Sequence, residues 1–186
     1  MRLAYVNLLW VCFTLLGLLF FGIFPATIAV LDTIRKWNIR NEHTISLDFI
    51  HTYKREFLKS NLYGWGWTLF TTLLIIGLAH FVVSIQHYFQ FIIIGFACIL
   101  LIISIYFPLL YIHYRLTVKN YIKTAFALTF LYPHFTLLII VSLLFCYMLF
   151  LFIPGLIPFF LVSLPAWMTV SVSLYLFNKL ETQARV

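Results

Sequence analysis

The chain has 186 residues, of which 64% are apolar and 9% charged, against about 25% charged in a typical soluble domain. So little polar surface excludes a soluble enzyme, a nucleic-acid reader and a disulfide-stapled secreted scaffold, and predicts an integral membrane protein. The twelve Lys and Arg against five Asp and Glu give a formal charge of +7, but they lie in short connectors, where cations set membrane orientation and meet anionic lipid.

Residues 3–31, 60–114 and 124–178 contain no Asp, Glu, Lys or Arg. A helix crosses the hydrocarbon core in about 20 residues. The first stretch therefore holds one span. Either longer stretch as a single helix would run about 80 Å, so each doubles back. The count is five spans, at 7–30, 63–85, 91–114, 134–153 and 156–177, in a single membrane domain over 1–186. The turns fall at Gln86-His87-Tyr88-Phe89-Gln90 and at Pro154-Gly155, the latter the strongest breaker in its stretch. The runs lack period-2 polar alternation, so helices fit and a barrel does not. The fold class is all-α and polytopic.

The first span has a basic cluster directly after it, which marks a retained anchor rather than a cleaved signal. Arg35, Lys36, Arg40, Lys54, Arg55 and Lys59 occupy the first connector, Arg115, Lys119 and Lys123 the second, and Lys179 and Arg185 the tail. In a five-span chain these regions share one side, and Arg2 alone lies on the other. The expectation is N-terminus out and C-terminus in the cytoplasm.

Both cytoplasmic connectors predict short amphipathic helices. In the first, Phe49, Tyr53 and Phe57 recur at i, i+4 and i+8, with Lys54 and Lys59 opposite and Ser46 as N-cap. This face either lies on the inner leaflet or docks a partner. In the second, Arg115, Lys119 and Lys123 form a basic stripe, and Val118, Tyr121, Ile122 and Ala125 an apolar one. Phe49, Tyr53, Phe57, Arg115, Lys119 and Lys123 are the candidate lipid or partner contacts.

No predicted span contains an ionisable carboxylate, lysine or arginine, whereas coupled carriers and voltage sensors place such groups at membrane depth. His80 is the remaining candidate there, and reads as an interhelical hydrogen-bond partner. Cys12, Cys98 and Cys146 sit singly in apolar stretches, without zinc spacing. There is no nucleotide-binding motif, nucleophile elbow or paired carboxylate. The expectation is no catalysis, no cofactor, no metal, and neither nucleotide nor nucleic acid bound by this chain.

The run Val6-Asn7-Leu8-Leu9-Trp10, then Phe21-Gly22-Ile23-Phe24-Pro25-Ala26-Thr27, Arg35-Lys36-Trp37 and Thr52-Tyr53-Lys54-Arg55-Glu56-Phe57-Leu58-Lys59-Ser60-Asn61, resembles the YesL family of small bacterial membrane proteins. The resemblance is specific over about the first 60 residues and extends weakly through Lys119-Asn120-Tyr121 and Pro154-Gly155-Leu156-Ile157-Pro158. It implies a multi-pass plasma-membrane protein that acts as an accessory subunit of a carbohydrate ABC importer, with permease subunits and lipid as partners. It carries over no catalytic residue. Its motif positions here are Asn7, Trp10, Gly22, Pro25, Thr27, Tyr53, Phe57 and Asn61, read as packing and capping positions. The alternatives are an autonomous homo-oligomeric transporter or channel for a small solute, and a membrane sensor or scaffold.

Overall fold

The computed structural model describes residues 1–39, 44–83, 88–114 and 116–183, with the side chains of 78–83, 88–94, 96 and 98 excepted. The described residues form helices α1 (Arg2–Leu16), α2 (Ile23–Ile39), α3 (Ile45–Val83), α4 (Tyr88–His113), α5 (Val118–Leu131), α6 (Pro133–Phe152), α7 (Ile157–Phe160) and α8 (Ser163–Gln183), with a 3-10 turn at Pro154–Leu156. No strand occurs among them. The His80 side chain, Arg115 and residues 84–87, where the turn at Gln86 and His87 is expected, lie outside the described residues.

The span expected at 7–30 is not one helix. It breaks after Leu16 and resumes at Ile23, and the two pieces fold back antiparallel. Trp10 Nε1 donates to Thr27 Oγ1 at 3.1 Å, and the Arg2 guanidinium lies 5.4 Å from the centre of the Trp37 ring. The N-terminus thus returns to the basic end of α2, against the expectation that Arg2 stands apart from the other cations. Composition could not reveal this fold-back, because an uninterrupted apolar run hides a turn made without charge.

Glycines close the turn. A Cβ on Gly17 would collide with the Gly22 backbone, and one on Gly22 with the Thr14 backbone. Leu18 and Leu19 adopt left-handed φ of 57° and 61°, at a cost of about 1–2 kcal/mol each for side chains carrying a Cβ. The amide of Leu19 bonds the Thr14 carbonyl at 2.9 Å, holding the reversal.

α2 packs antiparallel on α3, with Lys36 opposite Asp48, Asp32 opposite Thr52 and Phe24 opposite Gly64. α3 merges the first connector helix and the expected second span into one 39-residue helix. Its N-cap position is Thr44, whose carbonyl accepts the Asp48 amide, not Ser46. α4 runs back along α3, with Trp67 Nε1 donating to Ser104 Oγ at 2.7 Å.

α6 matches the expected 134–153 closely, with Pro133 in its first turn, where proline costs no helix hydrogen bond. The expected 156–177 is bent by 64° between Pro154–Phe160 and the helix beginning at Ser163. Among the described residues α6 is long and apolar enough to cross a bilayer, and the bent α7–α8 pair makes a second if taken as one span. The core lies where α2 meets α3, α4 and α8, around Ile34, Phe49, Tyr106, Leu110, Val170 and Phe177.

Candidate functional site

The basic end of the molecule holds a cavity of about 480 Å³. α2 supplies Asp32, Arg35 and Lys36, one helical turn that sets three charges on one face. α3 supplies Thr52, Arg55, Glu56, Lys59 and Tyr63. The end of α4 and the segment after it close the third side with Tyr111, His113, Tyr114 and Leu116, and Tyr121 of α5 completes it.

Asp32 is buried and saturated. One carboxylate oxygen accepts from Arg35 Nη2 at 3.0 Å, and the other from Lys36 Nζ at 3.0 Å and Thr52 Oγ1 at 2.8 Å. Burial by itself would raise its pKa. The Lys36 hydrogen bond and charge, the Thr52 bond and the Arg35 charge outweigh it and hold the carboxyl below its usual 3.8. Glu56 repeats the pattern. Burial pushes it up, and the bonds from Tyr111 Oη at 2.6 Å and Arg55 Nε at 2.7 Å, with the Arg55 and Lys59 charges, bring it below its usual value.

Among the described residues, four lysines and arginines therefore line the cavity, with two carboxylates. Two more carboxylates reach lining residues from outside, Asp48 at 3.4 Å from Lys36 and Glu181 at 3.3 Å from His113. Tyrosines frame the space. Tyr121 Oη donates to the Tyr114 carbonyl at 2.8 Å and accepts the Leu116 amide at 3.1 Å, pinning the segment between α4 and α5. Tyr63 and Tyr111 pack edge to face, with ring centres 6.0 Å apart. No group of three or more metal-ligating side chains occurs among the described residues.

The motif residues gather elsewhere, around the α1–α2 hairpin. Asn7 is 1% exposed. Its Nδ2 donates to the Pro158 carbonyl at 2.8 Å, and its Oδ1 accepts the Val162 and Ser163 amides at 3.0 and 3.3 Å. One α1 side chain thus serves the backbone groups freed at the α7–α8 bend. Tyr53 Oη donates to the Phe13 carbonyl at 3.1 Å, and Asn61 Nδ2 to the Phe21 and Phe57 carbonyls, both at 2.8 Å. Gly22 sits in the turn, and Pro25 is buried in the first turn of α2.

The aromatic face of the first connector is not a surface. Phe49 is 0% and Tyr53 8% exposed. The Phe13 ring fills the space between them, at 5.3 and 4.9 Å, and Phe57 packs partly buried beside Tyr53. Phe49 and Tyr53 are therefore corrected from candidate lipid or partner contacts to core. Amphipathic spacing gives an apolar face but not what covers it, and here the fold-back of α1 does. Lys119 and Lys123 are exposed on α5.

The sequence reading missed the cavity. Arg35, Lys36, Arg55 and Lys59 read from sequence as orientation signals, as parts of the family strings and, for Lys59, as the basic face of the first connector helix. The available signal was Asp32 three and four residues before Arg35 and Lys36, and Glu56 beside Arg55, since acids are scarce in this chain.

The family described as "Protein of unknown function, DUF624" matches residues 3–78, from α1 into α3. The chain is 36% identical over 188 residues to the uncharacterized protein YteU of Bacillus subtilis (strain 168), covering 97% of this chain and 83% of that one. It is 35% identical over 190 residues to the uncharacterized YesV of the same organism, covering 98% and 89%. It is 42% identical over 65 residues to the uncharacterized YesL, covering 34% and 31%. No solved structure matches.

Proposed function

The chain belongs to the YesL-like DUF624 family, and from that premise we propose that it is a multi-pass protein of the bacterial plasma membrane that serves as an accessory subunit of a carbohydrate ABC importer. In this reading it stabilises or regulates the permease and supplies no ATPase. α1 and α2 enter the bilayer together from the cytosolic face as a re-entrant hairpin. The second half of α3, then α4, α6 and the bent α7–α8 pair make four crossings. Both termini are cytosolic, and all twelve Lys and Arg fall on one side, a more complete positive-inside bias than an N-out chain allows.

The observation that carries the membrane reading is the hairpin turn. Leu16, Leu18 and Phe20 are 74%, 78% and 68% exposed, with no charged residue among 17–22. A tip of that composition is costly in water and favourable in hydrocarbon. A helix the length of α1, 15 residues, reaches about 22 Å, short of the roughly 30 Å core, as a re-entrant hairpin requires. The exposed apolar side chains of α6, among them Leu137, Val141, Leu144, Phe145 and Met148, support lipid or a permease helix as its neighbour. The importer as partner rests on the family resemblance.

Affinity purification of the tagged chain from mild detergent, out of cells growing on the imported sugar, tests this. Recovery of permease or binding-protein subunits is the expected result. Recovery of the chain without them contradicts the importer role.

A further inference from the structure

The 14 residues of α5 make a helix about 21 Å long. Near its start the Tyr121 ring packs on Tyr111, at 5.8 Å between centres. Just over one turn past its end, Thr136 Oγ1 meets Tyr106 Oη at 3.0 Å. Tyr106 and Tyr111 stand only about 7.5 Å apart along α4. α5 therefore crosses α4 instead of running along it, and on the membrane reading proposed above it lies where the basic end meets the bilayer.

The two faces of α5 differ. Tyr121, Ala125, Leu128 and Thr129 are buried. Lys119, Lys123, Phe126 and Phe130 recur at i, i+4, i+7 and i+11 on the opposite side, all exposed, and the two Phe rings lie 4.7 Å apart. Along this stripe the cations come first and the aromatics after. Beyond it Leu131, then Leu137, Leu138 and Val141 of α6, continue an exposed apolar surface. Neither lysine pairs with a carboxylate among the described residues, and the sequence holds no Asp or Glu between Glu56 and Glu181. Glu181 is itself engaged by His113 and Tyr114. Unneutralised cations thus grade into apolar surface, which is the profile of a leaflet from phosphate to acyl chain. An acidic protein would answer the lysines, but not a paired aromatic step that runs on into α6. Resting on the membrane reading, we infer that α5 is an interfacial helix that binds acidic phospholipid of the inner leaflet, with Lys119 and Lys123 on the phosphates and Phe126 and Phe130 among the acyl chains.

Two measurements on the full chain test this. In native mass spectrometry with phosphatidylglycerol, Lys119→Gln with Lys123→Gln should weaken lipid binding at least about fivefold. Lys54→Gln with Lys179→Gln, which removes two exposed cations of α3 and α8, should leave it unchanged. Equal loss in both double variants, or no loss in the first, overturns the inference. For depth, Cys12, Cys98 and Cys146 are replaced by alanine and a single nitroxide is placed at Phe130→Cys or, as reference on the exposed face of α6, at Phe145→Cys, in vesicles of phosphatidylcholine and phosphatidylglycerol. Both labels should be relaxed by oxygen and not by an aqueous nickel complex. Nickel access at 130 with oxygen access at 145 overturns the inference and leaves the membrane reading standing. Nickel access at both overturns both. A label at 130 shielded from both reagents means that a second copy of the chain covers α5, and also overturns the inference.

Discussion

The two ends of α2 live by different rules. At its start, the turn over residues 17–22 is apolar, outward-facing and held by backbone bonds, glycine contacts and two strained leucines. Towards its other end, Asp32, Arg35 and Lys36 form an ion cluster around the buried Asp32 carboxylate, which also accepts from Thr52, and tyrosines flank it. One 17-residue helix therefore joins a surface suited to hydrocarbon to a polar site. The difference teaches that shape is fixed by steric fit at one end and by charge pairing at the other, and on the membrane reading proposed above the solvent changes along the helix.

That contrast breaks first at the glycines. Gly22→Leu drives a side chain into the Thr14 backbone, where no rotamer relieves the clash. We expect a loss of about 4 kcal/mol or failure to fold, read as loss of the monodisperse peak in detergent. A well-behaved variant would show that the hairpin is not tightly closed.

Asn7→Ala comes next. It strips partners from the Pro158 carbonyl and the Val162 and Ser163 amides at once, so about 3 kcal/mol is expected from the orphaned groups. A thermal midpoint within error of the parent would show that water or lipid serves the α7–α8 bend instead.

The polar end answers to acid. Asp32 titrates lower folded than unfolded, so its contribution is complete above its usual 3.8 and is lost as pH falls through the lower folded value. Asp32→Asn should cost about 2 kcal/mol near neutrality. The gap to the parent should close as denaturation is measured at successively lower pH below 3.8. A gap that stays constant with pH would mean that the pairing does not stabilise the fold.

The smallest effect is expected on α5, where Lys119 and Lys123 are exposed. Replacing both with Gln should change stability by less than about 0.5 kcal/mol, so that any loss of a recovered partner in that double variant reports on contact and not on folding.

Helical class, the α6 boundaries and the disruption near Pro154 were legible in the sequence, because apolar run length and proline placement decide them locally. The family was legible too, through Asn7-Leu8-Leu9-Trp10 and the Thr52 to Asn61 string. The hairpin was not. Gly17 and Gly22 stand out only once Thr14 lies against Gly22, a contact that periodicity cannot express. The burial of Phe49 and Tyr53 follows from the same fold-back. The cavity depends on α2, α3 and α4 meeting at the level of Asp32 and Glu56, and each helix alone shows only charges that orientation rules explain.

The direct test of the central claim is where the N-terminus lies. A single cysteine at Leu3, with Cys12, Cys98 and Cys146 replaced by alanine, is exposed to a membrane-impermeant maleimide in intact cells and again after permeabilisation. The account predicts labelling only after permeabilisation, since Arg2 lies against Trp37 at the basic end, which the proposed topology puts in the cytosol. Labelling in intact cells would contradict it, and would mean that the first apolar stretch crosses the membrane.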